Sequence, residues 1–143
     1  MARRPDQEVI DLGHFVIMPI YLQILLEPKE LAVLDTIRYI TDNGNKPISY
    51  SLFVLYTGYD TKSIGAALKG LKAIGLITSK SVTKSGTVYS INENKLFHIL
   101  QKLTMTKNPV QRLRIADKFR GQGRELHETL INKLSDSCFD SNL

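Results

Sequence analysis

The sequence predicts a mainly α-helical protein with one small β-hairpin and additional helices at its C-terminal end. Apolar residues recur at helical spacing through most of the chain, whereas residues 76–91 alternate β-branched and polar side chains around a glycine-containing turn. A length of 143 residues favours one domain that is large enough for a proper core. The hydrophobic content of 43% and the six tyrosines argue against a disordered chain.

The N-terminal region leads into a first long helix. Residues 1–14 are predicted to form a basic arm and lead-in, and the apolar segment 15–22 is either a strand that ends at Pro19 or an extended lead-in. Residues 22–26 are predicted to form a helical turn. The first long helix is predicted over residues 28–42, with Pro28 near its first position, where proline is favoured.

Two further helices follow, separated by a glycine turn. The shorter is predicted over residues 50–57, with Ser49 or Ser51 as its cap. Its apolar face is predicted to comprise Leu52, Phe53, Leu55 and Tyr56. Gly58 makes the turn, Asp60 or Thr61 caps the next helix, and that helix runs to about Ile74. Its core stripe is predicted to consist of Ile64, Ala67, Leu68, Leu71 and Ile74.

The hairpin and the C-terminal helices complete the predicted order. Strands are predicted over residues 76–83 and 87–91, joined by a basic tip at Lys84-Ser85-Gly86. A helix that begins after Asn92 follows, and residues 104–108 are predicted to be a loop. Amphipathic helices are predicted over residues 109–120 and 124–135, with a break at Gly121. In the first of these, Arg112, Arg114, Lys118 and Arg120 are predicted to lie opposite the apolar face.

The basic helix after Gly58 carries the predicted function. A helix that follows a short helix and a tight turn can enter the DNA major groove, because the preceding elements fix its angle. Small residues between lysines allow close approach to the groove while the charges reach phosphates. The stripe predicted to face DNA consists of Lys62, Ser63, Ala66, Lys69, Gly70 and, at its edge, Lys72.

The order helix, short helix, turn, basic helix, hairpin resembles a winged helix-turn-helix domain over roughly residues 15–103. The matching core is Ser51-Leu52, Thr57-Gly58-Tyr59, Lys62-Ser63-Ile64, Leu68-Lys69-Gly70-Leu71, Gly75-Leu76-Ile77 and Tyr89-Ser90-Ile91-Asn92. The closest resemblance is to N-terminal domains of phage and plasmid replication initiators, whose openings are similar to Phe15-Val16-Ile17-Met18-Pro19. Small transcriptional regulators of the GntR and MarR type share the same core. The resemblance implies binding of double-stranded DNA, with the hairpin wing on the adjacent backbone or minor groove.

The other residues predicted to contact DNA lie around this helix. They are Tyr59, Thr61, the wing lysines Lys80 and Lys84, and Arg3 and Arg4 of the N-terminal arm. All of them except Thr61 also have a simpler interpretation: Tyr59 packs under the turn, the wing lysines prevent edge pairing of the hairpin, and the arginines belong to a disordered start. Replication initiation of a plasmid or phage element and transcriptional regulation remain alternative roles. A protein-interaction module on the same scaffold is the alternative from a different class.

Composition excludes several classes of function. A net charge of +5 suits a polyanionic partner, although mild basicity also serves solubility. The single cysteine, Cys138, fits a reducing cytosol, and neither a signal peptide nor a membrane span is predicted. The three histidines, His14, His98 and His127, are dispersed without metal-site spacing. The sequence therefore predicts a soluble, intracellular, non-enzymatic protein with no cofactor, metal or evident small-molecule ligand.

The segment 104–143 is predicted to be a helical extension with a possible role in dimerisation. A winged helix does not need this much additional amphipathic helix, and a two-fold dimer that reads two half-sites gains specificity. The predicted seam comprises Leu113, Phe119, Leu126, Leu130 and Leu134. The alternative is that these helices pack against the first long helix and enlarge the core of the monomer.

Overall fold

The computed structural model describes residues 19–44, 46–83, 86–121 and 125–136. The described part of the chain forms seven α-helices and one two-stranded antiparallel hairpin. In chain order these are α1 (Leu22–Leu25), α2 (Pro28–Asp42), α3 (Tyr50–Thr57), α4 (Thr61–Ile74), β1 (Ile77–Thr83), β2 (Gly86–Ile91), α5 (Glu93–Met105), α6 (Pro109–Arg120) and α7 (Glu128–Asp136). The predicted class, mainly α with a small hairpin and additional C-terminal helices, is confirmed.

Helix α2 spans its predicted range and lies at the centre of the core. Pro28 occupies its first turn, where the missing N–H removes no helical hydrogen bond. The N–H of Glu27 donates to Glu30 Oε1 at 2.9 Å, so a first-turn side chain satisfies the group that precedes the helix. Three apolar side chains of α2 are fully buried: Val33, Leu34 and Ile37. Because α2 packs against α3, α4 and β2, it supports the basic helix α4 and one strand of the hairpin.

Helices α3 and α4 have the predicted bounds and are joined by residues 58–60. Ser49 caps α3 by accepting the N–H of Leu52 at 3.2 Å. Gly58 ends α3 in the left-handed conformation, at φ 76°, which favours glycine over residues with a Cβ. Its N–H donates to the Val54 carbonyl at 2.9 Å. This short link, with a specific hydrogen bond on each side, holds α4 at one angle to α3.

The predicted apolar face of α3 is wrong in part. Phe53 is fully buried and Leu52 is half-buried, but Leu55 is 75% exposed and Tyr56 is 46% exposed. The reason is helical geometry: at about 100° per residue, Leu55 points roughly 200° away from Phe53, so both cannot face one core. The Tyr56 ring lies 5.7 Å from the ring of Tyr39 on α2, at the edge of the core.

The segment just before α3 forms a β-bridge with strand β2 of the hairpin. Ile48 and Thr87 exchange N–H···O hydrogen bonds of 2.9 and 3.3 Å, so Ile48 lies beside β2 on the side away from β1. At Gly86 an added Cβ would lie 2.7 Å from the Ile48 carbonyl oxygen, and φ is +127°. Both the close approach and the backbone conformation therefore require glycine. The alternating residues of the two strands predict the hairpin but not this bridge.

Helix α5 begins as predicted and ends later than predicted. Asn92 Oδ1 accepts the N–H of Lys95 at 3.2 Å, and three apolar residues of the helix are buried, Leu96, Ile99 and Leu103. The helix continues to Met105, so the predicted loop starts two residues too early. Side chains satisfy the last carbonyl groups of α5, because Thr106 Oγ1 donates to Lys102 O at 2.8 Å and Arg112 Nε to Leu103 O at 3.0 Å.

Helix α6 packs into the same hydrophobic core as α4 and is fixed there by a buried ion pair. It contacts α1, α4 and α5, and Ala116 is fully buried in the main core cluster. Arg120, predicted to lie on the polar face, is only 5% exposed. Its Nη1 donates to Glu30 Oε1 at 2.8 Å and to the Leu25 carbonyl at 2.7 Å. The prediction for Arg120 is wrong because a buried carboxylate on α2 binds its guanidinium.

Helix α7 begins four residues later than predicted, and the turn before it is held by a buried carboxylate. Asp117 Oδ1 accepts the N–H of Leu126 at 3.0 Å, and its Oδ2 accepts that of His127 at 2.9 Å. The imidazole Nε2 of His127 donates to the carbonyl of Ile24. These contacts connect α6, α7 and α1. The helix therefore packs on its own chain by hydrogen bonds that periodicity does not reveal.

The residues of the predicted dimer seam divide into two groups. Leu113 is buried against Val110 and Ile131 between α6 and α7, while Phe119 and Leu134 are half-buried within the chain. The prediction of an intersubunit position is wrong for Leu113, because its side chain is already buried within the subunit. Leu126 is 36% exposed and Leu130 is 44% exposed. Among the described residues, no helix is both long enough and apolar enough to cross a membrane.

Candidate nucleic-acid interface

The candidate interface is built on the outer face of α4. The core side of this helix comprises the five residues predicted for it, Ile64, Ala67, Leu68, Leu71 and Ile74, all of which are buried. Four exposed residues lie opposite: Lys62, Ala66, Lys69 and Ala73. Their spacing of four, three and four residues places them on one stripe about 16 Å long. Below, these four residues are called the α4 face.

The sequence of α4 contains no acidic residue between Thr61 and Ile74. Its exposed surface therefore offers ammonium groups and methyl groups, with Thr61 exposed at the first turn. Lysine carries its charge on a flexible stem with three donors, which suits phosphate oxygens. Alanine leaves room for the helix backbone to approach a surface closely.

Two residues predicted for this stripe lie elsewhere, and one was missed. Gly70 is buried, because it falls at the edge of the core ridge formed by Ala67 and Ile74, so the prediction that it faces DNA is wrong. Ser63 is half-buried and its side chain hydrogen-bonds to Asp60. Ala73 is exposed but was not predicted, although it lies seven residues after Ala66 on the same helical stripe.

The N-terminal end of α4 carries a negative charge. Asp60 Oδ1 accepts the N–H of Ser63 at 2.8 Å. That backbone hydrogen bond, a second one from the Ser63 side chain and the charge of Lys62 lower the pKa of Asp60 below its usual value. The carboxylate meets the positive end of the helix dipole. A phosphate at this end would meet a like charge, so any attraction for a polyanion arises from the lysines along the helix.

Lys72 lies where α4 meets the hairpin. Its Nζ is 5.9 Å from the centre of the Tyr89 ring on β2, and the side chain is exposed. Tyr89 is buried and packs edge-on against Phe53, with ring centres 5.7 Å apart. Burial, and then the neighbouring Tyr50, raise the pKa of Tyr89. The ring therefore stays neutral and leaves the charge of Lys72 uncancelled.

Tyr50 is a residue near this surface that the sequence analysis did not assign to it. An added Cβ at Gly65 would lie 3.6 Å from its hydroxyl oxygen, so the Tyr50 side chain lies against the second turn of α4. Its side chain is 45% exposed. The available signal was its position directly after the cap Ser49, because helix N-termini favour phosphate contacts.

The side chain of Tyr59 contributes to packing at the turn and is only partly accessible to a binding partner. It is half-buried and packs against the main core cluster. Its N–H donates to Thr57 Oγ1 at 3.2 Å, and that hydroxyl donates to the Phe53 carbonyl at 2.7 Å. The described contacts therefore match the packing interpretation of Tyr59.

The wing and arm residues are described only in part. Lys80 is exposed on β1, opposite Val88 in the ladder. Lys84, Arg3 and Arg4 lie outside the described residues. The register of the hairpin shifts between Ser81 and Thr83, close to its tip.

The C-terminal helices form a separate groove of about 660 Å³ between α6 and α7. Its walls carry both charges, for example Arg114 and Lys118 against Glu125 and Glu128, and the carboxylate of Asp117 is already engaged by backbone amides. Among the described residues, no three histidine, cysteine or carboxylate side chains are placed to hold a metal ion. His98 instead packs edge-on against Phe119, with ring centres 5.9 Å apart.

The expected resemblance to winged helix-turn-helix domains is based on features of this chain alone: the order of its helices and hairpin and the exposed lysines of α4. No family model, curated protein or solved structure matched the chain.

Proposed function

We propose that this chain binds double-stranded DNA by inserting α4 into the major groove, with the β1–β2 hairpin against the neighbouring backbone. The observation that carries the proposal is the α4 face, where exposed lysines alternate with exposed alanines along one stripe. The opposite side of the helix is buried in the core, so the stripe is presented on a rigid element. An α-helix of about 10–12 Å diameter fits a major groove about 12 Å wide.

The charges divide into groups with different roles. Lys62 and Lys69 lie on the α4 face, Lys72 lies at its junction with the hairpin, and Lys80 projects from β1. Lysine contacts to phosphates position a protein on the duplex without reading sequence. The alanines allow the helix to approach the base edges.

Substitution of the lysines on the α4 face tests this proposal. Duplexes enriched from a randomised library would be bound by the unmodified chain and by Lys62→Ala/Lys69→Ala, and dissociation constants compared by fluorescence anisotropy. We expect a loss of at least tenfold at moderate salt, since two phosphate contacts are removed. Circular dichroism and the midpoint of unfolding should be unchanged, because both side chains are exposed. Equal affinity of a folded double variant would overturn the placement of α4 in the groove.

Two biological roles fit the same geometry: replication initiation for a plasmid or phage element, and transcriptional regulation. Both imply a location in the cytoplasm, at the nucleoid. Mapping of bound sites across the host and element DNA separates them. Clusters of direct repeats at an origin would support replication initiation, whereas operators at promoters would support regulation.

Self-association is part of the proposal, because a two-fold dimer would bind two half-sites about 34–36 Å apart. The exposed apolar residues Leu126 and Leu130 are the part of the predicted seam that remains available. Light scattering of the unmodified chain and of Leu126→Glu/Leu130→Glu tests it. A monomer at micromolar concentration would exclude this seam, and an unaltered dimer in the variant would place it elsewhere.

A protein-interaction role is the second candidate, favoured by apolar side chains that the fold leaves exposed. Leu55 is 75% exposed, Phe97 is 68% exposed and Met105 is 72% exposed. Exposed apolar residues that form a contiguous patch mark protein contacts. Such a module would show little salt-dependent binding to DNA. Its partner binding would be weakened by Leu55→Ser or Phe97→Ser and not by substitution of the α4 lysines.

A further inference from the structure

Ala66 occupies the centre of the lysine-bearing half of the α4 face. It lies four residues after Lys62 and three before Lys69, so both lysine stems flank it on the same side of the helix. Its methyl group is exposed. The neighbouring Gly65 adds no side chain that could cover it. The half-exposed Tyr50 side chain lies against Gly65, so the Ala66 methyl group and the Tyr50 ring are the non-polar groups that a surface approaching this part of α4 would meet.

The chemistry of the α4 face limits which base edges it can recognise. Lysine donates hydrogen bonds and accepts none, and alanine does neither. No side chain of the α4 face can therefore accept a hydrogen bond from the amino groups of adenine or cytosine in the major groove. Two kinds of feature remain readable: the acceptor atoms, which are N7 and O6 of guanine, N7 of adenine and O4 of thymine, by lysine, and the C5 methyl group of thymine, by an apolar contact.

We propose that Ala66 is a specificity-determining residue that contacts the C5 methyl group of a thymine in the DNA site. The inference rests on the proposed function and goes beyond it, because it assigns one base type to one side chain. Burial of a methyl–methyl contact between a helix and the groove floor is favourable without any hydrogen bond. The exposed lysines on either side hold the helix by phosphate contacts that are indifferent to sequence.

Ala66 is favoured over Ala73 by its position along the helix. Recognition helices contact base edges chiefly with residues near their N-terminal ends. Ala66 lies in the second turn of α4, whereas Ala73 lies in the last turn, two residues before the terminating Gly75. The side chain of Lys95 lies against Gly75, since an added Cβ there would be 2.7 Å from its Nζ. Ala73 thus offers a matched control with the same residue type on the same face.

Replacement of thymine by deoxyuridine in an enriched duplex tests the contact directly. Deoxyuridine removes the methyl group and leaves the base pairing and the groove hydrogen-bonding groups unchanged. We expect one thymine position at which this replacement weakens binding by about fourfold, the effect of one buried methylene-sized group. The loss should disappear in Ala66→Gly, which binds both duplexes equally, and persist in Ala73→Gly.

Both glycine variants lower helix propensity, by at most about 1 kcal/mol, so each is compared by its own ratio of thymine to deoxyuridine affinity, and that ratio isolates the position of the methyl group. Ala66→Ser serves as a second variant in case Ala66→Gly unfolds. It replaces the methyl group with a polar side chain, so it should also lose the discrimination between thymine and deoxyuridine. Binding that is insensitive to deoxyuridine at every position would overturn the assignment of Ala66 but not the proposed function. Discrimination between thymine and deoxyuridine that survives in both Ala66 variants would also overturn the assignment of Ala66. Failure to enrich any duplex would overturn the proposed function and the assignment with it.

Discussion

Helices α4 and α6 are both amphipathic and rich in cations, yet the structure uses their charges in opposite ways. On α4, Lys62 and Lys69 project into solvent from a helix whose other side is buried. On α6, Arg120 is buried against Glu30, and Arg112 lies over the ring of Tyr21 at 4.5 Å. The first helix leaves its charges in solvent, whereas the second uses two of its cations, Arg112 and Arg120, to hold its own chain together.

The chemistry of the two cations suits the buried position of Arg120 and the exposed positions of Lys62 and Lys69. The planar guanidinium presents five donors, so it can serve a carboxylate and a carbonyl group at once, as Arg120 does with Glu30 and Leu25. The lysine ammonium is more strongly hydrated and is held in solvent more easily. The formal charge of +5 counts both kinds alike. Only the exposed set is available to attract a polyanion.

Removal of Arg120 is expected to have the largest effect on stability. Arg120→Ala would remove the guanidinium that donates hydrogen bonds to both the Glu30 carboxylate and the Leu25 carbonyl. Loss of one member of a buried pair costs about 3–5 kcal/mol in the free energy of unfolding. Urea denaturation measures it. Lys118→Ala, an exposed position on the same helix, is the control and should change stability by less than about 0.5 kcal/mol.

If Arg120→Ala and Lys118→Ala cost the same, the Arg120–Glu30 pair does not secure α6. The contrast between the two helices would then lose its structural basis.

Two glycines near the proposed interface differ in what surrounds them. Gly86 has no space for a Cβ beside the Ile48 carbonyl, whereas Gly58, φ +76°, has no atom within 4 Å of that position. Gly58→Ala should cost about 1–2 kcal/mol from its left-handed backbone alone. Gly86→Ala should cost roughly 1–3 kcal/mol more, because the hairpin must move away from Ile48.

Thermal unfolding of the two variants, each compared with the unmodified chain, measures the difference. Equal losses would show that the Ile48–Thr87 bridge does not hold the hairpin in place. The DNA affinity of Gly86→Ala at a temperature where it is folded then reports how far the hairpin contributes to binding.

The smallest expected effect concerns the cap of α4 in acid. Hydrogen bonds from Ser63 lower the folded pKa of Asp60 below its ordinary 3.8, so the cap stabilises the fold above that value. This stabilisation is lost as the pH falls through the folded pKa. Denaturation of the unmodified chain and of Asp60→Asn between pH 5 and pH 2 should give curves that converge as the pH falls. A stability difference that stays constant over this range would contradict the role of the ionised cap.

Much of the fold could be predicted because local signals agree with it. The helix bounds 28–42 and 50–57 follow from Pro28, Ser49 and Gly58, whose effects are confined to a few neighbouring residues. The core stripe of α4 also follows from spacing, since it faces a single neighbouring layer. Such signals act within one turn or one helix.

Several of the errors occur where residues distant in sequence determine the position of a side chain or the start of a helix. Arg120 is buried because Glu30, ninety residues away in sequence, binds it. Helix α7 starts late because Asp117 binds the amides of the preceding turn. Gly70 and Ala73 of the candidate site were misassigned for a different reason, because the prediction favoured residue size over the angle around the helix axis. Exposure follows that angle.

The salt dependence of duplex binding in two charge-matched variants distinguishes binding by the α4 face from attraction by net charge. Lys62→Ala/Lys69→Ala removes two charges from the α4 face, and Lys102→Ala/Lys133→Ala removes two exposed charges from α5 and α7. Each phosphate contact contributes about 0.9 to the slope of log affinity against log salt concentration. If the α4 face binds the duplex, the first variant lowers the slope by about two and the second leaves it unchanged. Equal changes in both would show that net charge, and not the α4 face, attracts the DNA.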